Sequence, residues 1–225
     1  ELYHVTEDFS QANDLAATNP DKLKVLQELF LNEARKYNVF PLYDDLGARF
    51  TNVAKRYAPQ RKEFVFYPPG AVRISEPYSP PVKNKNHSIS AFAEVPQTGA
   101  KGVLVAAGGL YGGYAWFVDK GRLVYEYNAY NEDRFIIKSN IEIPNGKVEL
   151  KAVYEANEDK TGTVTLFVNG EQAGQGAVNR THPGQFSLSE TFDVGEDTGT
   201  PVSKSYTRDN KFSGNLDRLV VQLTD

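Results

Sequence analysis

Tyr114-Ala115-Trp116-Phe117-Val118-Asp119-Lys120-Gly121-Arg122-Leu123-Val124-Tyr125-Glu126-Tyr127 is the run that decides the fold. Two blocks rich in aromatic and β-branched residues flank Asp119-Lys120-Gly121, where glycine supplies the positive φ that a tight hairpin needs. The run therefore predicts two antiparallel strands, 114–119 and 122–127. Period-two alternation continues on both sides, with strands expected at 88–95, 102–107, 135–143, 147–154, 162–168, 172–178, 186–194 and 216–223. Pro144-Asn145-Gly146 and Asn169-Gly170 repeat the turn chemistry. Ten short strands at regular spacing predict an antiparallel β-sandwich over residues 86–225.

Upstream the material changes. Residues 43–85 lack periodicity and carry Pro59, Pro68, Pro69, Pro77, Pro80 and Pro81, so they read as a connecting strap with one short strand at 63–67. Residues 1–42 read as a strand at Leu2–Val5, a turn capped by Ser10, and a helix. Asn19 is a competent N-cap, Pro20 occupies the first helical position, and Pro41 stops the pattern. Leu23, Leu26, Phe30, Ala34 and Tyr37 recur at helical steps, so that face must lie on something apolar. Leu2, Leu23, Leu26 and Phe30 are expected to fold back on the sandwich or to be covered in a dimer, because large apolar patches are uncommon on monomers.

Composition bounds the function. At 40% hydrophobic and 24% charged, 225 residues are enough for a core without covalent staples. The absence of cysteine excludes disulfides, thiolate metal sites and a cysteine nucleophile. A net charge of −4 with both signs scattered gives no footprint for nucleic acid or an anionic membrane. No apolar run is long enough for a spanning helix, so the chain reads as soluble. Methionine is absent too, which fits a mature form, a proteolytic product or a piece of something longer.

Few residues suggest chemistry. His4, His87 and His182 sit in separate contexts without metal-ligand spacing, and nothing resembles a nucleophile elbow around Ser88. Glu190, Asp193, Glu196 and Asp197 form the densest carboxylate cluster. Glu190 and Asp193, three apart on a strand, face opposite ways and make a poor glycosidase pair. Asp193, Glu196 and Asp197 with Gly195 and Gly199 could instead hold a structural calcium, or cap their own loop. Tyr111, Tyr114, Trp116, Tyr125, Tyr127 and Tyr130 divide between core packing and a sugar platform. Trp116 and Phe117 must point to opposite faces, so one of them is core. Asn86-His87-Ser88 and Asn179-Arg180-Thr181 have the form of glycosylation sequons.

Two stretches resemble a known family. Glu1-Leu2-Tyr3-His4-Val5, the acidic turn through Asn13-Asp14-Leu15-Ala16 and the helix ending in Tyr37-Asn38-Val39-Phe40-Pro41-Leu42 resemble the segment that closes the C-terminal subdomain of bacterial arylsulfatases. Asn84–Ile89, Gly102–Gly109 with Gly112-Gly113, and Gly162–Gly170 are similar to the extension that follows it there. So is Asp193-Val194-Gly195-Glu196-Asp197-Thr198-Gly199-Thr200-Pro201-Val202-Ser203 with Tyr206 and Lys211-Phe212-Ser213-Gly214, which is the most specific part. His4 replaces the usual Asp, and Tyr43 and Asp45 interrupt an acidic-then-Arg pattern. Ser75-Glu76-Pro77-Tyr78-Ser79 begins like a formylglycine motif but lacks its Arg.

The resemblance implies a non-catalytic C-terminal part of an arylsulfatase. In that family the formylglycine, the divalent-cation ligands and the sulfate-handling Lys and His lie upstream of any residue matched here, and none carries over. The implied partner is a sulfatase catalytic domain, in cis or in another subunit, and the implied source is a periplasmic or secreted bacterial protein. The expected fold is a mainly β chain: an N-terminal helical segment followed by an antiparallel sandwich of the concanavalin or laminin-G jelly-roll kind. The alternative function is a free-standing carbohydrate-binding module with Tyr111, Tyr114, Trp116 and Arg122 at its site.

Overall fold

The computed structural model describes residues 1–42, 44–45, 47, 61–182 and 184–224. Tyr43 and Pro59 lie outside them. The chain divides into two compact units, Glu1–Val53 and Ala54–Asp225.

The N-terminal unit is organised by carboxylates. Asp8 accepts the backbone N–H groups of Ala12 (3.1 Å) and Asn13 (2.8 Å), and Asp14 accepts those of Leu2 (2.8 Å) and Ala16 (2.9 Å). The turn cap is thus Asp8, with the Ser10 hydroxyl donating to it. Leu2–Val5 is no strand, because the Leu2 amide is taken by Asp14 and its carbonyl by the Leu15 N–H. Helix α1 spans Pro20–Lys36 as the Pro20 and apolar spacing predict. Asn19 makes no side-chain cap. Asp21 in the first turn and Arg35 and Lys36 in the last complement the helix dipole. Asn38 adopts φ 55° and ends the helix before Pro41 is reached.

The second unit is a two-layer sandwich whose named strands pair antiparallel, with an isolated parallel bridge between Val103 and Lys211. Its strands are β1 (Glu63–Phe66), β2 (Ile74–Ser75), β3 (His87–Val95), β4 (Gly102–Gly109), β5 (Gly112–Asp119) and β6 (Arg122–Ala129). They continue with β7 (Asp133–Lys138), β8 (Gly146–Ala156), β9 (Gly162–Val168), β10 (Glu171–Val178), β11 (Thr191–Val194) and β12 (Asn215–Leu223). The first sheet runs β1-β12-β3-β8-β9-β10 and the second β2-β11-β4-β5-β6-β7. The β5–β6 hairpin pairs Asp119 with Arg122, and Lys120 and Gly121 both hold positive φ (51° and 74°). Mainly β, two antiparallel sheets and an N-terminal helix are as the pattern predicts.

Two expected strands are shorter. The segment expected at 135–143 leaves the sheet at Lys138, because the Ser139 hydroxyl accepts the Leu123 N–H and donates to the Ile141 carbonyl. The one expected at 186–194 begins only at Thr191, since the Glu76 carboxylate takes the N–H groups of Phe186 (2.8 Å) and Ser187 (3.3 Å). Lys83 pairs with the same Glu76 and donates to the Gly184 carbonyl (2.8 Å). Residues 61–85 of the strap are therefore part of the sandwich, contributing β1 to one sheet, β2 to the other and Glu76 to this pin.

The main core lies between the sheets, with Phe64, Ile89, Leu104, Trp116, Leu123, Tyr125, Leu150, Leu166, Phe192 and Leu219 fully buried. A second cluster lies on the outer face of the second sheet, where Val103, Ala106, Ala115, Phe117 and Val124 are covered by Val202 and Tyr206. Strands β4, β5 and β6 are thus buried on both faces. Full burial of each large side chain contributes about 1.5–3 kcal/mol.

Trp116 is the sole tryptophan and is 0% exposed. Its emission should be blue-shifted and shielded from iodide in the native chain, moving red and becoming quenchable in one step on urea unfolding. Native-state quenching by iodide would contradict the packing.

Candidate functional site

The acidic run builds a latch. Asp193 accepts the Arg73 N–H (2.5 Å), the Thr191 hydroxyl (3.1 Å) and both the N–H and hydroxyl of Thr198 (3.2 and 3.0 Å). Glu190 accepts the N–H and hydroxyl of Thr200 (3.1 and 2.7 Å). Asp197 accepts the Val202 N–H (3.0 Å) and the Tyr206 hydroxyl (2.6 Å), while Asn210 brackets its backbone from both sides. Beneath the latch, buried Glu126 pairs with Arg134 (2.6 Å) and accepts the Ser203 hydroxyl. Asn128 donates to the carbonyls of Gly109 (3.0 Å), Leu110 (2.9 Å) and Val202 (3.4 Å).

Among the described residues Asp193, Glu196 and Asp197 are not gathered into one group. Asp193 and Asp197 are buried, Asp193 and the Asp197 Oδ2 are turned to protein donors while the Asp197 Oδ1 is buried without a hydrogen-bond partner, and Glu196 faces Lys211 at 3.6 Å. Among the described residues no group of three or more His, Cys, Asp or Glu side chains is placed to hold a metal ion. Burial raises the Asp197 carboxyl above its ordinary pKa, and the Tyr206 and Val202 hydrogen bonds work against that rise.

The four expected sugar-platform residues do not meet. Tyr114 and Trp116 point into the main core at 2% and 0% exposure, so neither ring can carry a ligand. Tyr111 is 72% exposed on the β4–β5 turn. Arg122 starts β6 at the opposite end of β5, facing Glu142 (3.6 Å). On the turn's side, the His182 ring packs over Gly112, stacks on Tyr130 (4.2 Å between centroids) and meets Phe186 edge-on. Arg180 lies over Tyr130 while pairing with Glu132 and Asp133, both at 2.9 Å. His87 stacks on Tyr154 inside the sandwich.

A groove of about 520 Å³ crosses the outer face of the first sheet, a location the sequence reading did not anticipate. Register sets its side chains in two rows, Lys147, Glu94 and Asn215, then Glu149, Phe92 and Arg218. Between Leu216 and Arg218 the β12–β3 register slips, and this bulge places Asp217 and Arg218 side by side on the groove face. The Arg218 guanidinium sits 3.9 Å from the Phe92 ring centroid. A second hollow of about 340 Å³ shares Glu94 and Asn215 and extends the groove past Gln97 and Ser213.

Helix α1 is the other open surface. Ala34 is its only buried residue, while Leu29 and Phe30 are 53% and 50% exposed and Val25, Leu26 and Leu31 are exposed as well. Leu26 and Phe30, expected to be covered, are thus exposed. No helix among the described residues is long and apolar enough to cross a membrane.

No family model and no curated protein matches the chain. Among solved structures it is similar to the carbohydrate-binding module CBM40 of the Ruminococcus gnavus IT-sialidase bound to α2,3-sialyllactose. That match has 15% identity and TM-score 0.47, and covers 72% of this chain and 90% of that one. It is also similar to mouse laminin α1 domains LG4-5, with 11% identity, TM-score 0.40 and coverage of 73% and 40%. Domain 4 of the Geobacillus stearothermophilus arabinanase AbnA in complex with arabinotriose gives 16%, 0.43, 62% and 61%. All are sandwiches, and the likeness is one of general shape.

Replacing Tyr206 by Phe removes a donor that lowers the Asp197 pKa. The folded-state value then rises further above the unfolded one, so the native state binds more protons across that window and stability falls as pH rises through it. Urea melts of Tyr206→Phe should show a loss of about 1.5–3 kcal/mol at neutral pH, shrinking towards about pH 4. An equal loss at both pH values would separate Tyr206 from the Asp197 titration.

Proposed function

We propose that this chain is a C-terminal, non-catalytic part of an arylsulfatase, an accessory β-sandwich serving a sulfate-ester hydrolase in cis or in another subunit. The open apolar face of α1 carries the reading, because that helix belongs to the segment resembling the closure of the sulfatase C-terminal subdomain. The second stretch of resemblance supports it. Its most specific residues, Asp193, Asp197, Val202, Ser203 and Tyr206, hold the latch rather than a reacting group. In this reading the formylglycine and the divalent cation belong to the catalytic domain, and no residue here is assigned to either.

A second reading, a free-standing carbohydrate-binding module, is favoured by the groove across β12, β3 and β8. Its site is not the one expected from Tyr114 and Trp116, which are core.

Sequencing the coding region upstream of Glu1 tests the first reading. It should reveal an in-frame Cys/Ser-x-Pro-x-Arg motif, and the chain expressed with that segment should elute as one species hydrolysing aryl sulfate. Leu26→Glu combined with Phe30→Glu should disrupt that species while leaving the unfolding transition reported by Trp116 in place, since each buried apolar side chain contributes about 1.5–3 kcal/mol. A frame opening near Glu1, with the double variant indistinguishable from wild type, would sink it.

A further inference from the structure

We infer that the groove across β12, β3 and β8 binds a neutral stretch of oligosaccharide; this rests on the carbohydrate-module reading and names its site and ligand class. The groove presents carboxylates at Glu94, Glu149 and Asp217 against cations at Lys147 and Arg218. A sulfated or carboxylated sugar meets three like charges against two opposite ones. A polyol suits the same wall, because each hydroxyl donates to a carboxylate and accepts from an ammonium or guanidinium.

The heads are available. Only Asp217 and Arg218 face each other, at 3.7 Å, and no ion pair joins Glu94, Lys147 or Glu149 to a partner among the described residues. Stacking on Phe92 holds the Arg218 guanidinium against the groove floor, so part of the cost of ordering a long side chain is met before a ligand arrives. The extension past Asn215, Ser213 and Gln97 adds amide and hydroxyl groups without further charge, which lengthens the site for several sugar units.

A peptide is the poorer occupant. Strand addition needs a sheet edge, and β12, β3 and β8 are each paired on both sides. The volume lies within the range of about 300–1,000 Å³ typical of small-ligand clefts, and the walls stand on strands rather than loops.

Amide spectra of the full chain should be recorded with xylohexaose, laminarihexaose and agarohexaose, and with 3′-sialyllactose and a chondroitin sulfate hexasaccharide. At least one neutral sugar should shift Phe92, Glu149 and Arg218 with millimolar affinity that persists at about 0.5 M salt. Glu149→Gln and Arg218→Ala should each weaken it at least about tenfold, and Tyr111→Ala should not. Binding by the anionic sugars alone, or shifts confined to the Tyr111 and Tyr130 end, would overturn the groove assignment and leave the module reading standing. No shift with any sugar would overturn both.

Discussion

The sandwich depends on satisfying a polar row that its topology buries. Glu126 and Asn128 project from the outer face of β6 beside Phe117 and Val124, at 1% and 0% exposure. A carboxylate that deep is tolerable only when paired and hydrogen-bonded, and the residues after β11 supply that. Val202 and Tyr206 seal the apolar part, Ser203 and the Val202 carbonyl meet the polar part, and Arg134 bridges Glu126 to that carbonyl. Asp193, Asp197 and Glu190 then hold the covering loop in its own shape. Removing one partner of the Glu126–Arg134 pair would leave a buried charge uncompensated, a loss of about 3–5 kcal/mol.

Much of the fold was legible because a half-buried strand writes itself as alternation. Residues 162–168 coincide with β9, and the Asn169-Gly170 and Lys120-Gly121 turns fall where positive φ occurs. The site was far less legible, for reasons that are physical. Parity assigns Trp116 and Phe117 to opposite faces, correctly, but it does not reveal that a distant loop covers the second face, so both are core. The carboxylates of the acidic run look alike in one dimension whether they hold an ion or backbone N–H groups. Only the positions of Thr198, Thr200, Val202 and Tyr206 in space decide it. The groove had no signal either, because its residues come from three strands and owe their grouping to register and a bulge.

The two units divide their surfaces by chemistry. Helix α1 offers apolar side chains, which suit a protein partner, while the first sheet offers alternating charges and amides, which suit a hydroxylated one. The second sheet offers little of either on β4, β5 and β6, having spent its outer face on the latch. The first sheet therefore has the more open of the sandwich's two broad faces.

The strand order also sets where the module can be cut and moved. Both β1 and β2 come from the strap, separated by only a few residues, yet they close opposite sheets against β12 and β11. On the far side, β7 and β10 approach each other through the Asn140 N–H and the Ala173 carbonyl at 2.6 Å. A transplant beginning at the first long strand would leave β12 and β11 as bare hydrogen-bonding edges and would remove Phe64 from the core, inviting strand exchange between copies. The transferable cassette therefore includes residues 61–85 of the proline-rich strap, which look like a linker in sequence and behave as a hem in three dimensions.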